Sequence, residues 1–200
     1  MKCWIVTGGV ATGKSSFSVM LRDLTEGRSS LFSCDEEARQ LWSRPEVVSE
    51  ISGALGNHVI QQDGGLDRNL IRQKVFSEPE SRDALERILH PRILRALEIS
   101  RAEAEDRKAK VFLAEVPLYY EIRQSIMSDS VVVVAASRTV QVNRLMVRRN
   151  LDAATAENLL KAQLPLDVKI DKADWVVWNE GSESMLKAQA STIIRAHLEN

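Results

Sequence analysis

Cysteine is scarce: 200 residues contain two, Cys3 and Cys34. That is too few for a disulfide framework, and their separation rules out a C-x-x-C redox or zinc pair, so a reducing compartment is expected. An excess of either charge is also missing. With 27 Lys and Arg against 28 Asp and Glu, the net charge is −1. This gives no electrostatic ground for a nucleic-acid or membrane partner, so any polyanion must be gripped locally. Long apolar runs are absent too. The stretch before the first glycine reaches only from Cys3 to Val6, too short for a signal-peptide core or a membrane span. Neither an internal repeat nor a low-complexity segment is present. The expectation is one soluble, cytoplasmic globular chain, a monomer with at most weak self-association, able to bury roughly 70% of its unfolded surface.

What is present is an alternation. Short, non-alternating apolar runs rich in β-branched or aromatic residues lie at Cys3–Thr7, Leu31–Cys34, Val111–Ala114, Val131–Ala135 and Trp175–Trp178. Such runs suit strands covered on both faces, and the helical patterns between them call for a parallel sheet with crossovers. Phe17, Met20, Leu21 and Leu24 repeat at helical spacing, with Gly27 placed as a C-terminal cap. Between about Pro45 and Lys110 no strong strand run occurs, and Val59–Ile60 and Asp63-Gly64-Gly65 interrupt helical patterns. This region reads as a helical insertion, bending at Leu89-His90-Pro91 because proline starts helices more readily than it continues them. A further helix pair is expected over Thr139–Asn150 and Ala153–Leu164, with Asp152 as N-cap and Pro165 as stop.

The opening stretch GGVATGKSS carries the chemistry. Gly8-x-x-x-x-Gly13-Lys14-Ser15 matches the phosphate-binding loop G-x-x-x-x-G-K-[ST], between a strand and a helix as the motif requires. Its glycines let successive N–H groups turn inward to cradle phosphate oxygens at the helix N-terminus. Lys14 then reaches the β- and γ-phosphates and Ser15 offers an oxygen to Mg²⁺. Ser16 either assists at the phosphates or caps the helix.

A phosphate loop implies a nucleoside triphosphate without saying what is done with it. No N-K-x-D-like base-reading segment of a guanine switch is present, whereas a small-molecule kinase needs an acceptor domain, an acid and an arginine-bearing lid. Asp35 follows the second strand and so falls at the loop's edge of a parallel sheet, where it either handles an acceptor hydroxyl or caps the helix beginning at Glu36. Glu115 ends the third strand as a Mg²⁺-side acid would, or is an ordinary strand-end carboxylate. Gln141, Arg144 and Arg148 stand three and four residues apart on one helical face. Beside a phosphate site, those arginines could offset charge developing on a transferred phosphoryl group; elsewhere they would form a solvated basic face.

Taken together, TGGVATGKSS, CDEEARQLW, Gly65-Leu66-Asp67-Arg68, LHPRI, EVPLYYE, QVNRLMVRR, KAQ and ADWVVWNEG resemble dephospho-CoA kinase, from the first strand to Gly181. The resemblance implies transfer of the ATP γ-phosphate to the ribose 3′-hydroxyl of dephospho-coenzyme A, giving coenzyme A and ADP, with ATP and Mg²⁺ as required ligands. It implies that Asp35 is the catalytic carboxylate, acting with Lys14, Arg144 and Arg148. ATP would lie against Gly9, Val10, Ala11, Thr12, Gly13, Lys14, Ser15, Ser16, Arg144, Asn179 and Gly181. The metal falls to Ser15, with Glu115 as a further candidate. Acceptor-side motifs match Asp35, Arg68, His90, Pro91, Arg92, Leu118, Tyr119 and Glu121, although His90 also reads as a simple helix cap.

The implied fold is a doubly wound α/β P-loop kinase with five parallel strands in the order 2-3-1-4-5. Its core would comprise 1–44, 111–136 and 166–200, its acceptor subdomain 45–110 and its lid 137–165. The chain departs from the family pattern in places. Ser33 stands where a first aspartate is usual, removing a neighbour that could help position Asp35. Ala11 replaces a usual loop glycine, Tyr119-Tyr120 an aliphatic pair, and Trp175 and Trp178 are read as packing residues. A kinase with another nucleotide or nucleoside acceptor, and an NTP-binding module without catalysis, remain the competing readings.

Overall fold

The computed structural model describes residues 1–122 and 124–198. Five strands form one parallel sheet: β1 (Lys2–Gly8), β2 (Ser29–Ser33), β3 (Val111–Glu115), β4 (Ser130–Ala135) and β5 (Trp175–Trp178), in the order β2-β3-β1-β4-β5. The expected order is therefore the observed one. β3 and β4 are buried along their whole length, as continuous runs of Val, Phe, Leu and Ala demand of strands with both faces covered.

Helix α1 (Lys14–Leu24) leaves the loop after β1 and buries Phe17 and Leu21, with Met20 and Leu24 packed beside them. It ends earlier than its glycine suggested. Thr25 is the C-cap and Gly27 lies beyond it at φ 80°. Helix α9 (Glu183–Leu198) adds Leu186, Ala190, Ile193 and Ile194 to the same core as Trp4, Val6, Leu113 and Val132.

The chain divides into two compact units, Met1–Ser33 with Arg101–Asn200, and Cys34–Ser100. The second begins before Pro45 because Leu41, at the end of α2 (Cys34–Leu41), and Trp42 join its core. That core also takes Val47, Ile51 and Leu55 from α3 (Pro45–Leu55), and Ile71 from α4 (Arg68–Ser77). A short 3₁₀ turn over Asn57–Val59 and a single antiparallel bridge between Ile60 and Leu66 make a small hairpin around Asp63-Gly64-Gly65.

Two sequence-based boundaries are corrected. α5 runs unbroken from Pro79 to Asp106 through Pro91. Proline removes the N–H that would reach the carbonyl of Arg87, but both residues are exposed, so water can satisfy that carbonyl. One residue further, Arg92 Nη1 donates to Ile88 O at 2.7 Å and supports the same turn. Pro165, expected to stop a helix, instead precedes one. α7 (Ala153–Lys161) stops at Lys161, and Pro165 is the N-cap of the short α8 (Leu166–Asp171). Asp152 caps α7 as expected, accepting from Thr155 N at 2.8 Å. Before it, α6 (Arg138–Arg149) is capped by Ser137 and ion-paired to α7 through Arg138 and Glu157.

Candidate functional site

Glycine is obligatory at both ends of the loop after β1. A Cβ at Gly8, where φ is 144°, would strike the backbone carbonyl of Val134, its partner in β4; at Gly13, with φ 94°, it would strike Asn179 Nδ2. The segment between them turns tightly enough for Thr12 Oγ1 and Lys14 Nζ both to donate to Gly9 O, at 2.9 and 2.8 Å. Lys14 is only 8% exposed, so its ammonium is held at the loop rather than in bulk water. α1 opens on Gly13 without a side-chain cap, leaving its first-turn amides to backbone and ligand. Ser16 is exposed and does not serve as that cap.

Three other elements converge on this loop. Glu115, the last residue of β3 and 3% exposed, accepts from Ser15 Oγ at 2.6 Å. Arg144, on α6, donates through Nη1 to Ala11 O and Thr12 O at 3.2 Å each, and through Nη2 to Asn179 O at 2.7 Å. Asn179 follows β5 and returns Nδ2 to Thr12 O at 2.8 Å. Burial, and then the neighbouring charge of Arg148, push the Arg144 guanidinium below its ordinary value, while Glu180 opposes them. At neutral pH it remains a cation. Gln141, on the same helical face, is buried, donates to Ala136 O at 2.8 Å and lies against Gly9. Arg148 is exposed one turn beyond Arg144, and Gly181 lies exposed in the turn before α9, beside Met185.

Residues assigned to the acceptor are distributed differently. Ser33, the last residue of β2, pairs in register with Glu115, and Asp35 follows two residues on. Asp35 sits inside the first turn of α2 with its side chain exposed, so it is not the N-cap that was its competing reading. In the helical unit, the Arg68 guanidinium stacks 5.5 Å from the Trp42 ring centroid and donates to Arg39 O at 3.3 Å. Arg92 pairs with Glu50 at 2.6 Å. His90 and Pro91 lie within α5, so His90 is not a cap either. Leu118 is 39% exposed just after β3. Tyr119 is half-buried, edge-on to Tyr120 at 5.1 Å between centroids, with its hydroxyl 3.3 Å from Ser128 Oγ. Glu121 turns inward, pairing with Lys169 at 2.7 Å and accepting from Leu164 N at 3.1 Å. Trp175 packs into the core, but Trp178 is half exposed, so only one of the two fits the packing reading.

Gln163 and Lys169 also touch the loop, through Val10 N–H and Gly8 O respectively, and sequence reasoning gave neither a role. A lysine in the short amphipathic stretch LDVKID carries no distinguishing spacing; only the fold brings it to Glu121.

A family model described as dephospho-CoA kinase matches residues 3–184. A dephospho-CoA kinase of Anaeromyxobacter dehalogenans is 37% identical over 190 residues, covering 94% of this chain and 89% of that protein. Among solved structures, a Thermus thermophilus protein aligns with a TM-score of 0.84 at 27% identity, over 98% of this chain and 97% of its own. A dephospho-CoA kinase from Campylobacter jejuni aligns with a TM-score of 0.62 at 23% identity, over 100% of this chain and 98% of its own.

Proposed function

The chain belongs to the dephospho-CoA kinase family, and from that premise we propose that it moves the γ-phosphate of ATP to the ribose 3′-hydroxyl of dephospho-coenzyme A, releasing ADP and coenzyme A. The observation that carries this reading is the convergence of Lys14, Ser15, Glu115, Arg144 and Asn179 on one glycine-bounded loop.

Phosphoryl transfer asks little covalent chemistry of a protein; its work is positioning and charge stabilisation. Lys14 and the first-turn amides of α1 bind the β- and γ-phosphates, Lys14 exchanging Gly9 O for a phosphate oxygen. Arg144 is fixed to the loop through Ala11 O and Thr12 O, and is therefore placed to offset charge gathering on the transferred group. Arg148 joins it when α6 and α7 close. Asn179 and Gly181 border the nucleotide's base side. Asp35 orients the 3′-hydroxyl and accepts its proton, supported by its chain position two residues past the strand end in register with Glu115. Arg68, His90 and Arg92, with Leu118 and Tyr119, contribute to holding the acceptor.

The donors fit Mg²⁺. Ser15 Oγ and Glu115 Oε1 are hard oxygen ligands already 2.6 Å apart. Among the described residues no cluster of three or more metal-ligating side chains occurs, which suits an ion that completes its shell with substrate phosphates and water. When bound, it would neutralise charge on the β- and γ-oxygens; Ser15 and Glu115 would hold it. Among the described residues no helix is long and apolar enough to cross a membrane, in keeping with a soluble cytoplasmic enzyme.

The test is ADP release from Mg-ATP with dephospho-CoA, AMP, CMP or no acceptor. Stimulation by dephospho-CoA alone is expected. Stimulation by a mononucleotide instead, or by none of the three, would overturn the assignment.

A further inference from the structure

Val10 and Gly8 are joined by a path of side chains that leaves the phosphate loop and returns to it. Gln163 Oε1 accepts from Val10 N–H at 2.9 Å. The next residue, Leu164, gives its N–H to Glu121 Oε1 at 3.1 Å. The same oxygen meets Lys169 Nζ at 2.7 Å, and that ammonium reaches Gly8 O at 3.5 Å. The path encloses Gly8, Gly9 and Val10, of which two have no side chain with which to fix themselves.

The investment in this ring is large for a merely cohesive contact. Lys169 is fully buried and Glu121 about three-quarters so, with side-chain exposures of 0% and 23%. Desolvating such a pair costs several kcal/mol, and a well-packed apolar substitute usually serves stability as well or better. What an apolar pair cannot do is donate to Gly8 O or anchor Leu164 N–H. The loop's N–H groups must already point at the phosphates when the nucleotide arrives, because ordering them then would subtract from affinity. Gly8, at φ 144°, passes through a conformation open to few other residues, and Gly9 beside it has no side chain to anchor it, so outside partners must hold them.

We propose that Gln163, Glu121 and Lys169 are positioning residues that fix Gly8–Val10 from outside the nucleotide site and tie it to the chain leaving α7. They touch no substrate and act through the loop backbone. The inference rests on the reading of that loop as the seat of the ATP triphosphate.

Lys169→Met alone would strand a buried carboxylate and could unfold the chain, so the informative variants are Gln163→Ala and the double Lys169→Met/Glu121→Gln. Binding of Mg-ATP is measured calorimetrically for wild type, both variants and the triple combination, at a temperature well below each melting point. Each variant is expected to bind about tenfold more weakly, the scale of one lost hydrogen bond. The triple variant should be no weaker than the double, since one broken link opens the ring. Wild-type affinity in either folded variant overturns the inference. So does a triple loss equal to the sum of the separate losses, or a loss that vanishes once the melting points are matched by temperature. Failure of the wild-type protein itself to bind Mg-ATP would instead overturn the reading of the loop.

Discussion

Ser15 and Glu115 are hydrogen-bonded at 2.6 Å, joining the first turn of α1 to the end of β3. The sheet register makes this contact. Glu115 pairs with Val6 on one side and Ser33 on the other, so its side chain emerges beside the loop that follows β1. In Glu115→Gln the amide oxygen can still accept the serine hydroxyl, while the negative charge is gone. The Mg²⁺ concentration giving half-maximal ADP release should therefore rise by about tenfold or more, with the melting temperature little changed. An unchanged Mg²⁺ midpoint would remove Glu115 from the metal site.

Asp35→Asn keeps the shape of the first turn of α2 and removes a proton acceptor from an exposed position. A general base contributes typically about 10²–10⁴ in rate. We expect kcat to drop by at least about 10²-fold, with KM for ATP changing little, because the loop proposed to hold ATP belongs to the other unit. Steady-state kinetics with each substrate varied separately check this. Near-native kcat would dismiss Asp35 as the base.

The five strands and the phosphate loop were legible because both are local signals: buried strands read as unbroken apolar runs, and Gly8 to Ser15 has fixed spacing; the order of the strands in the sheet came from the family resemblance instead. Glu115 could be suspected from its strand end, but its contact with Ser15 depends on β1 and β3 being neighbours. Pro91 misled for a physical reason. The rule that proline breaks helices assumes that the orphaned carbonyl is costly, and here it belongs to Arg87, an exposed residue that water can reach. Pro165 misled in the opposite sense, since the same fixed φ that ends one helix can introduce the next. Lys169 was invisible, because an isolated lysine in a short helix reads as solvated until the fold buries it against Glu121.

Ala11 occupies the left-handed region, at φ 59°, which glycine enters more readily than alanine. A Cβ there costs about 1–2 kcal/mol, whereas glycine would add about 0.4–1 kcal/mol of unfolded-chain entropy. Ala11→Gly should thus raise stability by roughly 0–1.6 kcal/mol on those figures, read from the urea midpoint at constant slope. A fall in the midpoint would show that the methyl group contributes more by packing than its backbone costs.

His197 closes the far side of the sheet unit and makes its stability depend on acid. Its Nε2 accepts from Trp175 Nε1 at 2.7 Å, and its ring lies 5.1 Å from Trp4 and 5.5 Å from Trp175, centroid to centroid. Burial, then the charge of Lys2, lower its pKa from 6.5, against an opposing pull from Asp174. A lowered pKa means that the folded state favours the neutral ring, as an Nε2 acceptor must be. The contribution is therefore complete above the unfolded pKa near 6.5 and is lost as pH falls through the lower folded value. The melting temperature should hold steady from about pH 8 to 7 and decline below about 6.5, before the carboxylates begin to titrate. In His197→Phe that decline should disappear, at the expense of lower stability at pH 7, since Trp175 N–H loses its acceptor. Persistence of the same acid slope in His197→Phe would assign it to another group.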